Sequence, residues 1–258
     1  MKVLAIIGSP RRSGNTFRAV DKVREHLQRY CQDLEFEAVF LRDMQIGMCA
    51  GCFACISDGE EKCPLQDDVR MLKAKMMEAD GIILASPCYA MGITGAMKNF
   101  IDRLAYTLHR PCFFDKAFLS LVTVGGVMGL KQALSQLAIL SAGAKSSIRL
   151  GISNPPIPMA GFDARANKKI KKSAEAFFGA MQKRVRKLPG LSDLAYFYAF
   201  KVFTRFESYQ KACPADHAYY INRKDYFYPL KGSPVRRLIG RALGAVMNAG
   251  FRLIIKKA

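Results

Sequence analysis

The stretch "KVLAIIGSPRRSGNT", residues 2–16, decides the fold. A five-residue apolar run, Val3 to Ile7, stops at Gly8-Ser9-Pro10, and a helical pattern starts near Gly14. Strand, polar turn and helix therefore follow one another within a few residues. In an open parallel sheet, ligands gather outside the carboxyl ends of the strands, near the point where strand order reverses. Gly8 and Gly14 permit tight backbone turns. Ser9, Ser13, Asn15 and Thr16 offer hydroxyl and amide groups, and Arg11 and Arg12 offer charge. The helix start aims unpaired N–H groups and a positive dipole end at whatever sits there. This chemistry suits a phosphate. The Walker Gly-Lys-Ser/Thr is missing, which argues against a nucleoside triphosphate; G-x-G-x-x-G is missing too, so this is no ordinary dinucleotide loop. The bland alternative is a Ser/Gly turn that only caps a helix.

Outward from this loop, strand and helix patterns alternate. "LEFEAVFL" (34–41) has period two and reads as a half-buried strand, and "DGIILASP" (80–87) as a buried one. "KAFLSLVTVGG" (116–126) and "AKSSIRLGI" (144–152) complete five strands. Helices are expected from Gly14 to Cys31, over 67–79, 95–109 and 129–143. Strands alternating with helices predict an α/β, doubly wound, five-stranded parallel sheet. A Pro-rich connector (153–161) follows, then a helix from Asp163 to Lys187. Residues 1–188 are expected to form this domain, and 189–258 a basic, aromatic-rich helical extension.

Charge divides the same way. Residues 1–150 carry 19 Lys/Arg and 15 Asp/Glu, whereas residues 151–258 carry 21 and 6. Most of the net charge of +19 therefore sits in the C-terminal part. Such a segment suits an anionic partner or simply a solvated basic face. The N-terminal apolar run is too short for a secretory segment, and Gly81 to Met97 is broken by Pro87 and glycines. A cytoplasmic location is the expectation.

Four of the eight cysteines crowd into "MCAGCFACISDGEEKCP", residues 48–64. Cys49, Cys52, Cys55 and Cys63 have C-x2-C-x2-C-x7-C spacing. In a reducing compartment such clusters bind metal or do redox chemistry more often than they form disulfides. An iron–sulfur cluster, a structural zinc and plain thiols all stay open. His26, His109 and His217 suggest no Ser-His-Asp set.

Three segments together resemble the flavodoxin-like NAD(P)H-dependent FMN reductase family: "GSPRRSGNT" (8–16), "SPCYAMGITGAMKNFIDR" (86–103) and "TVGG" (123–126). The resemblance covers roughly residues 1–185. It implies FMN as cofactor, its phosphate held by Ser9, Arg11, Ser13, Gly14, Asn15 and Thr16. It places Pro87, Cys88, Tyr89, Ala90, Met91 and Gly92 along the flavin ring, and Thr123, Gly125 and Gly126 on the ring's other side. No side chain is assigned a catalytic role, because the flavin carries the hydride. Asn99, Asp102 and Arg103 are expected on an exposed helix face turned to a partner subunit. The cysteine placement resembles the iron–sulfur flavoproteins, which implies a [4Fe–4S] cluster on Cys49, Cys52, Cys55 and Cys63, although the last spacer is longer than in a ferredoxin run.

The implied activity is electron transfer from NAD(P)H through FMN to an unknown acceptor, in a homodimer or homotetramer. The rivals are a flavin electron carrier without nicotinamide turnover and a basic binding module that has lost the cofactor. The segment 235–257 has apolar residues at helical spacing with arginines largely on other faces. Packing on protein is expected, with a membrane surface as the less favoured alternative. Nucleic acid is not favoured.

Overall fold

Short apolar runs rich in β-branched residues become five parallel strands: β1 (Lys2–Ile7), β2 (Glu35–Phe40), β3 (Gly81–Pro87), β4 (Ala117–Val124) and β5 (Ser146–Ser153). This computed structural model describes all residues except 156, 158–160, 184, 185, 187, 231, 232 and 255–258. The sheet order is β2-β1-β3-β4-β5. That is the flavodoxin order, with its switch point between β1 and β3. All seven residues of β3 are buried, whereas β2 and β5, at the edges, keep several exposed positions. The register sets Ile7 beside Ala85 and Pro87 beside Thr123, so β1, β3 and β4 end close to one another.

The helices of the sheet unit are α1 (Asn15–Tyr30), α2 (Val69–Glu78), α3 (Gly95–Arg103), α4 (Leu130–Leu137) and α5 (Phe162–Gln182). Val20, Val23 and Leu27 of α1 join Ile170, Ala174 and Phe177 of α5 over one sheet face, against Val3, Ala5, Ile83 and Leu119. Alternate strand residues point the other way. Leu4, Ile6, Ile82 and Leu84 are buried there, and α2, α3 and α4 bury Leu72, Met97, Phe100 and Leu137.

Three helices differ from expectation. The pattern over 95–109 breaks after Arg103, where Leu104 leaves helical geometry and its N–H turns back to the carbonyls of Asp102 and Ile101. The helix over 129–143 tightens to a 3-10 turn at Ala138–Ser141. Helix α5 ends at Gln182; residue 187, where its end is expected, lies outside the described residues, as does most of the Pro-rich stretch 156–160.

By contact the chain divides into two compact units. The first is Met1–Ala50, Leu65–Leu104 and Cys112–Arg186; the second is Gly51–Pro64, Ala105–Pro111 and Lys187–Ala258. The second unit thus takes in two segments from within the first 150 residues, besides the extension.

The second unit contains α6 (Leu191–Phe203), α7 (Glu207–Ala212), α8 (Pro214–Ile221) and α9 (Pro234–Ile254), with short helical turns at Ala54–Ser57 and Tyr106–His109. Its core is Leu194, Phe197, Tyr198, Tyr220, Tyr226 and Leu230, with Ile239, Leu243 and Met247 of α9 packed against it. Asp216 is its polar hub and is fully buried. Its carboxylate accepts from His109 Nδ1 (2.8 Å), from the Tyr209 hydroxyl (2.8 Å) and from Arg110. Arg110 also donates to the carbonyls of Cys55 and Ile56. The extension therefore helps hold the middle of the cysteine loop.

Burial opposes charge on Asp216, but hydrogen bonds from His109 and Tyr209 and the Arg110 guanidinium outweigh it and hold its pKa below the ordinary carboxylate value. A carboxyl with a depressed folded-state pKa stabilises the fold above its unfolded pKa and loses that contribution as pH falls through the folded one. Asp216→Asn should cost about 3–5 kcal/mol, because it takes the buried carboxylate from Arg110 and leaves it only the half-exposed Glu60 at 3.6 Å. It should also flatten the acid limb of stability. Urea melts in neutral and acidic buffer measure both; equal losses at both pH values would contradict the assignment.

Candidate functional site

The loop after β1 is drawn in close beneath its neighbours. The Gly8 N–H donates to the Ala85 carbonyl (2.8 Å), and the Thr94 hydroxyl donates to the Gly8 carbonyl (2.8 Å). A Cβ at Gly8 would lie 2.7 Å from Met97 Cβ and 2.8 Å from Thr94 Oγ1. Only glycine fits without displacement. Ser9 is buried, and its Oγ accepts from the Arg11 N–H (3.1 Å), curling the loop back. The hydroxyls of Thr16 and Thr123 share a buried hydrogen bond of 2.7 Å. The Cys88 N–H donates to the Thr123 carbonyl (2.7 Å). Those two bonds fasten the first turn of α1 and the loop after β3 to the end of β4.

Together these elements wall a cavity of about 710 Å³. Of the expected residues, Ser9, Arg11, Ser13, Gly14, Asn15, Thr16, Pro87, Cys88, Tyr89, Thr123 and Gly125 line it. Ala90, Met91, Gly92 and Gly126 are not on this wall. Tyr89 and Gly92 instead exchange backbone hydrogen bonds across a tight turn, with Ala90 and Met91 at φ 45° and 68°. Such left-handed backbone is uncommon for non-glycine residues and clusters at functional turns. Tyr89 keeps 47% of its surface exposed and Met91 43%, so this turn presents apolar side chains to solvent.

The wall is cationic. Arg11, Arg12, Arg18 and Arg42 line it, and among the described residues no acidic side chain does. Arg12 pairs with Asp43 at 2.9 Å, and Arg42 donates to the Pro10 carbonyl. Gly14 starts α1 in extended conformation with no side-chain cap, so the first N–H groups of the helix are left for a ligand. Burial pushes the Cys88 thiol up, so it stays protonated at neutral pH. Sequence reasoning missed Arg18 and Arg42. Arg18 sits one turn after Asn15, and its guanidinium donates to Asn15 Oδ1 at 2.6 Å. Arg42 follows β2, whose register sets Phe40 beside Ile7; that register was the missing signal.

Asn99 and Arg103 correct an expectation. Both are buried rather than turned outward. Asn99 accepts from the Cys49 N–H (2.9 Å) and donates to the Gly47 carbonyl (3.1 Å). Arg103 grips Asp67 with two bonds (2.6 and 3.0 Å) and also donates to the Gly47 carbonyl. They fix the stem of the cysteine loop. Cys49 belongs to the first unit, and Cys52, Cys55 and Cys63 to the second. Among the described residues, no three Cys, His, Asp or Glu side chains converge as metal ligands would.

A 2-1-3-4-5 parallel sheet with a helix N-terminus opening on a cationic cavity at its switch point defines a flavodoxin-type fold. Comparison with known proteins extends this. The model of the NADPH-dependent FMN reductase family matches residues 1–148. An iron–sulfur flavoprotein of Archaeoglobus fulgidus is 39% identical over 127 residues, covering 49% of this chain and 56% of that protein. One from Clostridioides difficile (strain 630) is 27% identical over 205 residues, covering 77% and 87%. The crystal structure of RosB with a bound 8-demethyl-8-formylriboflavin-5'-phosphate intermediate shares the fold, with a TM-score of 0.55, 19% identity and coverage of 70% and 79%. The chain spans only about half the length of several of these flavoproteins. The chain belongs to the NADPH-dependent FMN reductase family.

Gly8→Ala should lower stability by roughly 1–3 kcal/mol, since the added methyl overpacks against Met97 and Thr94. It should also weaken ligand binding by lifting the loop. Denaturant melts and FMN titration of the same variant check both effects.

Proposed function

We propose that this chain is an FMN-dependent oxidoreductase that takes electrons from NAD(P)H and delivers them to an acceptor. The observation that carries the proposal is the cationic cavity at the switch point. Its size falls within the range of about 300–1,000 Å³ usual for small-molecule sites, and its donors suit a flavin mononucleotide phosphate. Ser13, Asn15, Thr16 and the first N–H groups of α1 would hold the phosphate, with Arg11 and Arg18 supplying charge. When bound, FMN supplies hydride acceptance and onward electron delivery. Tyr89 would offer the ring an aromatic face. The backbone at Gly125, which has no Cβ, would come close to the opposite side and supply N–H donors where reduction places negative charge.

Arg11→Ala with Ser13→Ala should weaken FMN binding at least tenfold, by the loss of a charge-assisted and a neutral hydrogen bond worth together about 2–4 kcal/mol. Fluorescence titration reads this. Anaerobic NADPH or NADH should bleach the flavin band. Bleaching by dithionite but by neither nicotinamide would make the protein a flavin electron carrier instead.

The cysteine loop carries a finer reading. Four thiols within fifteen residues are the donor set of one [4Fe–4S] cluster, and the relatives from Archaeoglobus fulgidus and Clostridioides difficile are named iron–sulfur flavoproteins. Among the described residues no three of these thiols converge. Ligation would gather them, since metal binding and local folding are coupled. Anaerobic protein supplied with iron and sulfide should then contain about four of each per chain, and lose them in any of Cys49→Ala, Cys52→Ala, Cys55→Ala or Cys63→Ala. Iron-free protein with a flavin spectrum unchanged by Cys52→Ala would leave the loop as thiols.

A further inference from the structure

Helix α9 carries two apolar faces. Ile239, Leu243 and Met247 pack on the aromatic core of the second unit, and Gly240 and Gly244 let the helix close on the Tyr198 ring. The sequence leaves α9 a choice between packing on protein and meeting a membrane; this face does the first. The other face is bare. Val235, Leu238, Val246 and Leu253 are 65%, 70%, 72% and 89% exposed, and Ala242, Ala245 and Ala249 are exposed between them. At 100° per residue these seven positions fall within an arc of about 100°. They form one unbroken apolar stripe along the helix.

The helix's own charges beside the stripe have one sign. Arg237, Arg241 and Arg252 follow one edge of it. Arg241 reaches Asp225 at 3.1 Å, yet its side chain stays 69% exposed. Residues 231–258 carry seven Lys/Arg and no Asp or Glu. A bare apolar stripe edged by arginines is the pattern of a helix that lies in a lipid headgroup layer.

We propose that the outer face of α9 docks on the surface of an anionic phospholipid bilayer. The helix lies in the plane of the interface. Its valines and leucines enter the acyl boundary, the alkyl stems of the arginines run along the same surface, and their guanidiniums meet lipid phosphates. The binding is peripheral: among the described residues, no helix is long and apolar enough to cross a membrane. A second copy of the chain is the competing occupant of the stripe. It would set arginine edge near arginine edge with no carboxylate on either helix to pair them, whereas an anionic bilayer complements that charge. The proposal is independent of the flavin chemistry.

The test uses the full-length protein with vesicles of phosphatidylcholine, with and without phosphatidylglycerol, in a flotation assay. The protein should float with the anionic vesicles, stay in solution with the neutral ones, and be released by high salt. Leu238→Glu/Val246→Glu alters only exposed positions, so it should fold and reduce flavin like the unaltered chain while binding anionic vesicles at least tenfold more weakly. Arg237→Gln/Arg252→Gln keeps the stripe and should also weaken binding. Failure of the unaltered protein to float with anionic vesicles overturns the proposal, as does undiminished binding by Leu238→Glu/Val246→Glu. A dimer that this double variant converts to monomer, with no vesicle binding by either form, assigns the stripe to a second copy.

Discussion

The contact of Gly8 with Ala85, Thr94 and Met97 is the constraint on which the site depends. Without a Cβ, the backbone after β1 can lie directly against the start of α3, and its N–H extends the β1–β3 pairing by one more bond. The loop then leaves the sheet low, α1 begins at the right height, and Thr16 meets Thr123. A side chain at residue 8 would lift the loop and separate the wall of the cavity from its floor. The cationic residues are secondary to this arrangement: they charge the wall, but the backbone approach makes the space.

Much of this was legible because local and global signals agree. The five strands are short apolar runs closed by Gly, Pro or polar residues, and a buried parallel strand needs little more than that. The loop of residues 8–16 is contiguous, so its donors could be counted directly. Arg42 was hidden because its relation to the loop exists only through the pairing of β2 with β1. Asn99 and Arg103 were misread for a related reason. On a helical wheel they look like solvent-facing polar residues. What buries them is a loop some fifty residues earlier, whose Gly47 carbonyl and Cys49 N–H need partners. Sequence periodicity describes an element, not what is laid over it.

The second unit was harder to read because its segments come from three places in the chain. An aromatic-rich, weakly amphipathic stretch such as 191–203 does not announce what it packs on. Its core is built from rings: Phe197 alone lies near Tyr198, Tyr220, Tyr226 and Phe227. The Tyr220 tip is tied to backbone, its hydroxyl donating to the His109 carbonyl (2.7 Å). The extension is therefore more than a basic tail; it supplies a structural surround for a segment inserted much earlier in the chain.

That interleaving has a consequence for how the molecule comes off the ribosome. Arg110 and Asp216 are separated by 106 positions. The sheet unit needs little beyond residue 182 to complete its strands and helices, and it can close as soon as that length has emerged. The cysteine segment must wait for α8, so it spends the intervening synthesis without the carboxylate that anchors Arg110. Closing so long a loop comes on top of the already non-local pairings of the sheet, such as Val3 with Gly81. Cys52, Cys55 and Cys63 therefore stay in an open chain after Cys49 has joined the closed sheet unit.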